Sequence, residues 1–162
     1  LCSNVNRPVR NHHIKFGKRR YAREEGAFSY KNCTFAELGG EVIGMLHAFP
    51  MEEEPEATDE PMDPILEPYA MLKVPGSYYV SAMAVFPEHR GKGLGTRILE
   101  VAKERARHSG RGQVTLLVFE RNEGAVELYR RNGFEVINRA PVVLHEVIRY
   151  TGEVLLMTAA AE

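Results

Sequence analysis

Between Tyr78 and Thr96 the chain reads Y-Y-V-S-A-M-A-V-F-P-E-H-R-G-K-G-L-G-T, and this stretch holds the residue types best suited to chemistry. Gly91, Gly93 and Gly95 alternate directly before an amphipathic run, with Arg90 and Lys92 set among them. A helix start leaves backbone N–H groups without partners, and its dipole places partial positive charge there. Glycines let a bulky anion approach that backbone closely, and the two cations add full charges. The chemistry implied is the grip of a diphosphate. Two familiar phosphate patterns fail. No Gly-Lys-Ser/Thr occurs, and the dinucleotide pattern G-x-G-x-x-G breaks at Thr96, where its last glycine should stand.

The elements that must aim this cradle are legible from periodicity. Tyr78 to Phe86 is rich in aromatic and β-branched residues and predicts a strand, which Pro87 ends for want of a donor. Leu94, Ile98, Val101/Ala102 and Ala106 recur at helical spacing, and Gly110 stops that helix. Gln113 to Glu120 is nearly continuous apolar, as a central strand would be. Asn122 predicts the N-cap of a helix running to Asn132, with Gly133 at its C′ position. Phe134 to Asn138 and Gly152 to Met157 complete the strands, with Ala140 to Thr151 as a connection and Ala159 to Glu162 as a tail. Upstream, Ala27 to Phe35 and Glu41 to Phe49 predict a hairpin turning at Leu38-Gly39-Gly40. A helix over His13 to Glu25 precedes it, and residues 1–12 read as irregular.

Composition narrows the class. At 162 residues, 44% hydrophobic and 27% charged, the chain suits a single globular domain over residues 1–162. A net charge of −1 gives no global field toward nucleic acid or a membrane. No apolar run approaches the ~20 residues of a transmembrane helix. Two cysteines, Cys2 and Cys33, are too few for a disulfide framework and fit a reducing cytoplasm. The chain opens on Leu1, so a native start further upstream is expected. Residues 1–23 hold seven Lys/Arg and no acid, read as a solvated helix face, and His12-His13 lacks the further ligands a metal needs. Residues 50–76 form an acidic, Pro-rich loop insertion: eight acids fall between Glu52 and Glu67 without a Lys or Arg. Such a loop is either a solubilising excursion or a flap that favours cationic acceptors by charge.

The R-x-x-G-x-G of Arg90, Gly93 and Gly95, behind a strand ending Val85-Phe86-Pro87, resembles the acetyl-CoA pyrophosphate loop of the GNAT N-acetyltransferase superfamily. Ala125 to Phe134, A-V-E-L-Y-R-R-N-G-F, resembles that family's A-x-x-L-Y-x-x-x-G-F segment. The resemblance implies an α+β, three-layer α/β/α fold with a mixed, mostly antiparallel sheet. It implies acetyl transfer from acetyl-CoA directly to a primary amine, of a small cationic molecule or of a peptide or protein. No metal is implied. A non-catalytic acyl-CoA-binding regulatory module is the alternative, and the oligomeric state stays open, a homodimer included.

The same resemblance distributes roles. Main-chain groups of Met83 and Val85 would pair with pantetheine, and Met83 N–H would polarise the thioester carbonyl. Arg90, Gly91, Lys92, Gly93, Leu94, Gly95 and Thr96 would hold the pyrophosphate, and Asn122 would reach pantetheine with its amide. Tyr129 is the expected general acid: its hydroxyl, with a pKa near ~10 against ~8.5 for a thiol, stays protonated at neutral pH and can donate to the departing thiolate. Many relatives carry a glutamate base four residues before the strand's final valine. Here Ser81 stands there, which leaves the base open among Glu37, Glu41, His47, Tyr79 and the loop acids.

Overall fold

The computed structural model of the chain describes residues 21–53, 69–144, 148 and 150–162. Its strands are β1 (Cys33–Leu38), β2 (Glu41–Pro50), β3 (Tyr78–Val85), β4 (Gln113–Phe119), β5 (Glu135–Pro141) and β6 (Glu153–Ala160), with helices α1 (Leu94–His108) and α2 (Glu123–Arg131). They form one open sheet in the order β1-β2-β3-β4-β6-β5. Every neighbouring pair is antiparallel except β3 and β4, which the α1 crossover makes parallel. The mixed, mostly antiparallel sheet expected from the sequence is therefore present.

Side-chain alternation gives the sheet two unlike faces. Leu46 and Ala48 of β2, Val80 of β3, Val114, Leu116 and Val118 of β4, and Leu155 and Met157 of β6 point to one face. There they meet Ile98, Leu99, Ala102 and Ala106 of α1 and Val126 and Tyr129 of α2. The helical stripe read from the sequence is this contact, with Leu99 as a buried addition. On the other face, Tyr69 and Leu72 cover Val154 and Leu156.

Several boundaries differ from expectation for physical reasons. The aromatic content of 27–35 predicts a strand, yet Ser29 accepts from Lys31 N–H and caps a 3-10 turn at Tyr30–Asn32, so β1 begins only at Cys33. The hairpin turn is as read: Gly39 and Gly40 both take positive φ, 61° and 86°. At the other end, Ala159 and Ala161 are not a loose tail but buried, β6 runs to Ala160, and Ala161 N–H bonds Gly112 at 3.0 Å. β5 begins one residue later than expected and extends to Pro141. The expected His13–Glu25 helix lies mostly outside the described residues; Tyr21 is helical, and turn and bend follow by Glu25. His12-His13 and residues 54–68 of the acidic loop lie outside them too.

Candidate active site

β3 and β4 are paired only at Tyr78–Val114, Tyr79–Thr115 and Val80–Leu116. A bond between two fully buried hydroxyls, Ser77 and Thr115 at 2.7 Å, latches the paired end. Beyond Val80 no strand partner continues on that side of β3 among the described residues. A bulge marks the same place: His47 opposes Ala82 while Ala48 opposes Val80, so Ser81 is the extra residue. The bulge also resets which side chains face α1. Tyr78 and Val80 point there before it, and Met83 and Val85 after it.

Main-chain direction follows from one bond. Phe86 N–H donates to the Ile43 carbonyl of β2 at 3.1 Å. Along a strand these groups alternate sides, so Ala84 also faces β2, while the N–H and C=O groups of Met83 and Val85 face away from it. They point into the opening left by β4. The Val85 carbonyl is already engaged there by Arg90 Nε at 2.9 Å. Lys92 Nζ likewise donates to the Glu88 carbonyl at 3.0 Å, so both cations are folded onto their own loop.

The glycines divide their labour. Gly91 and Gly93 adopt φ of 71° and 79°, and a Cβ on either would meet nothing within 4 Å. Gly93 caps α1 with no side-chain bond, and its carbonyl accepts from Arg97 N–H at 3.1 Å. The N–H groups of Leu94, Gly95 and Thr96 therefore fall in the first turn, where no intrahelical acceptor exists. Gly95 serves a different end: a Cβ there would lie 2.8 Å from Leu128 Cδ2 of α2. Asn132 ties the same helices by donating to Thr96 Oγ1 at 3.3 Å and the Leu128 carbonyl at 2.7 Å. Open space at Gly91 and Gly93 beside first-turn N–H donors is chemistry suited to an anion.

Asn122 occupies the N-cap of α2, but its side chain makes no cap bond; only its carbonyl accepts, from Ala125 and Val126. Its amide is left for another partner. Tyr129 lies on α2 within the core cluster that includes Val80, Leu116 and Met83. It is 8% exposed, and burial pushes its hydroxyl above the ordinary tyrosine range.

The opposite face of the sheet carries a buried histidine cluster. His47, one of the candidates for the base, is fully buried. Its Nε2 meets the Ser29 carbonyl at 3.1 Å and its Nδ1 meets Ser81 Oγ at 2.5 Å. Tyr21 packs edge-on at 4.8 Å and Phe28 stacks at 6.0 Å. The missed signal was pairwise: only strand register could bring His47 beside Ser81. Next to this cluster is a cavity of about 190 Å³ lined by Phe28, Phe49, Tyr79, Tyr69, Leu117 and Lys73, among others. Tyr79 packs within it on Phe49, and neither Glu37 nor Glu41 lines it. Among the described residues no group of His, Cys, Asp and Glu could hold a metal ion, and no helix is long and apolar enough to cross a membrane.

A family model described as Acetyltransferase (GNAT) family matches residues 6–134. The chain belongs to the GNAT acetyltransferase family. An uncharacterized N-acetyltransferase of Methanocaldococcus jannaschii is 47% identical over 51 residues, 32% of this chain and 23% of that protein. The thialysine N-epsilon-acetyltransferase of Mus musculus is 32% identical over 77 residues, 48% of this chain and 44% of that protein. The chain thus spans less than half the length of these curated relatives. In fold it is similar to Chaetomium thermophilum Naa20, solved with a bisubstrate analogue, at a TM-score of 0.64 and 20% identity, covering 91% of this chain and 72% of that one. Ard1 from Thermoplasma volcanium gives a TM-score of 0.60 at 13% identity, covering 98% and 84%. The open sheet, parted where β3 leaves β4, is the GNAT arrangement in this chain.

Proposed function

We propose that this GNAT protein is an N-acetyltransferase that moves an acetyl group from acetyl-CoA directly to a primary amine. One observation carries the reading. The opening beside β3 presents the main-chain groups of Met83 and the N–H of Val85, whose carbonyl Arg90 Nε holds, and leads, along the same strand, to the open cradle at Gly91 and Gly93. A pantetheine arm pairs with strand-like groups and its diphosphate needs N–H donors, so both ends of one molecule are provided for.

Acetyl-CoA supplies an activated acyl thioester when bound. The chain's own residues then divide the work. Arg90 and Lys92, with the N–H groups of Gly91 to Thr96, hold the diphosphate; Met83 N–H faces the carbonyl oxygen; the Asn122 amide steadies the arm. Tyr129 keeps its proton at neutral pH and gives it to the departing sulfur. The aromatic cavity beside Phe49 and Tyr79 receives the carbon body of the amine, whether a small molecule or a peptide.

The test is release of free thiol from acetyl-CoA across a panel of small amines, polyamines and peptides, alongside the melting shift that acetyl-CoA produces. Thiol release that depends on the amine supports the reading. A shift without turnover on any amine points instead to an acyl-CoA-binding regulatory module. No shift with acetyl-CoA but one with ATP or NAD overturns the cofactor.

A further inference from the structure

We propose that Ser81 and His47 form a proton relay that takes the proton of the acceptor amine, in place of a carboxylate base. The proposal rests on the acetyl-transfer reading above.

The geometry decides which way the hydrogen bonds run. A main-chain carbonyl can only accept, so His47 Nε2, 3.1 Å from Ser29 O, carries its hydrogen there. A neutral imidazole then has only a lone pair at Nδ1, and the Ser81 hydroxyl must donate to it at 2.5 Å. The competing acceptor for that hydroxyl, the His47 carbonyl, is 3.4 Å away and outside a normal O–H···O distance. Ser81 Oγ therefore keeps its own lone pairs for an incoming N–H. It is half-buried on the bulge, one residue past the last β3–β4 pair, at the mouth of the opening. Burial lets no solvent compete at His47, and Phe28 stacks on its ring with an interplanar angle of 12°, a face that tolerates positive charge.

The step balances. The amine lone pair forms the C–N bond as the C–S bond breaks, and the sulfur takes its proton from Tyr129. The nitrogen gives its extra proton to Ser81 Oγ while the hydroxyl proton passes to His47 Nδ1. Once the amide has left, the His47 proton passes back through Ser81 to solvent and Tyr129 is reprotonated from solvent, which resets the site. Ser81 touches the substrate and is the catalytic residue; His47 acts through it as a positioning residue. Among the described residues, the groups that face the ring include Tyr21 and Phe28, Phe49 of β2, Ser81 of β3, and Cys33, its cross-strand partner on β1. Tyr79 stands behind Phe49, and Ser29 is itself tied to the Arg23 carbonyl at 2.9 Å.

Two measurements test this. The first is the ring tautomer of His47 from side-chain ¹⁵N NMR of the whole chain, which needs no turnover. We expect hydrogen on Nε2 and an acceptor at Nδ1 whose shift moves in Ser81→Ala. Hydrogen on Nδ1 overturns the relay. The second is kinetics. Ser81→Ala should lower kcat with the most reactive amine by on the order of 10²-fold or more, leave the acetyl-CoA melting shift intact, and abolish the acidic limb of the rate profile. Ser81→Thr, which keeps the hydroxyl, should restore most of the rate. Equal kcat and the same pH profile in Ser81→Ala overturn the relay while acetyl transfer stands. Wild-type protein that acetylates no amine overturns both.

Discussion

The Tyr129 ring sits 5.8 Å from the Phe134 ring at 55°, across the end of α2. Phe134 N–H bonds the Tyr129 carbonyl and Gly133 N–H bonds the Arg130 carbonyl, both at 3.0 Å, with Gly133 at φ 82°. This is a Schellman ending with its apolar contact. The residue proposed to donate a proton is thus locked by the helix stop that follows it.

Tyr129→Phe keeps the ring, the stop and the core contact and removes only the hydroxyl. Acetyl-CoA should still raise the melting temperature, while kcat falls by on the order of 10²–10⁴. Steady-state kinetics beside thermal shift separates the two. Equal loss of both would make Tyr129 a packing residue.

Burial holds the Tyr129 hydroxyl above its ordinary range, and that of Tyr78 likewise, where the nearby Arg105 only partly opposes the effect. The folded state therefore holds these protons more firmly than the unfolded chain does. The stabilisation is complete below the unfolded value of ~10 and lost as pH rises through the folded one. Urea midpoints should be level through neutral pH and fall above about 10. Tyr129→Phe should fall less steeply. Parallel curves would show that burial of this hydroxyl is not linked to folding.

Gly93 and Gly95 should fail in different ways. Gly93→Val strains a residue at φ 79° and fills the cradle, so the acetyl-CoA melting shift should vanish. Gly95→Ala pushes on Leu128 from 2.8 Å and should cost stability, about 1–3 kcal/mol by urea denaturation. If both variants lose only stability, Gly93 does not serve the ligand.

The Ser77–Thr115 bond makes a prediction about non-additivity. Thr115→Val leaves a buried Ser77 hydroxyl unpaired, at a cost of about 1–3 kcal/mol. Adding Ser77→Ala should recover part of that loss, because the orphaned group is then gone. A double variant as unstable as the sum of the singles would mean the two hydroxyls are independent.

The cradle and the two helices were legible because their signals are local: glycine positions, a Pro stop and a 3.6-residue stripe. The α2 cap was half legible, since position is written in sequence but the freedom of the Asn122 amide is not. Phe28 and Tyr30 misled by type, since aromatic residues favour strands; one stacks on His47 and the other opens a 3-10 turn. The alanines at the end of β6 misled the other way, their weak strand preference overridden by an interior place in the sheet. Least legible was the Ser81–His47 contact. It joins residues 34 apart through a bulge, and no single-strand pattern encodes such a register shift.

The position of β6 bears on how the chain folds as it is made. β6 is translated after β5 yet lies between β5 and β4, pairing with both. A nascent chain that has just released Pro141 lacks β6, the strand with which β5 pairs. The 19 residues from Pro141 to Ala160 take about 1–4 s at ~5–20 residues per second. For that interval the outer edge of β4 stays bare, a waiting template for any extended segment nearby. A ribosome stalled inside β6 should therefore hold a half-sheet exposed to chaperones and to strands of neighbouring chains.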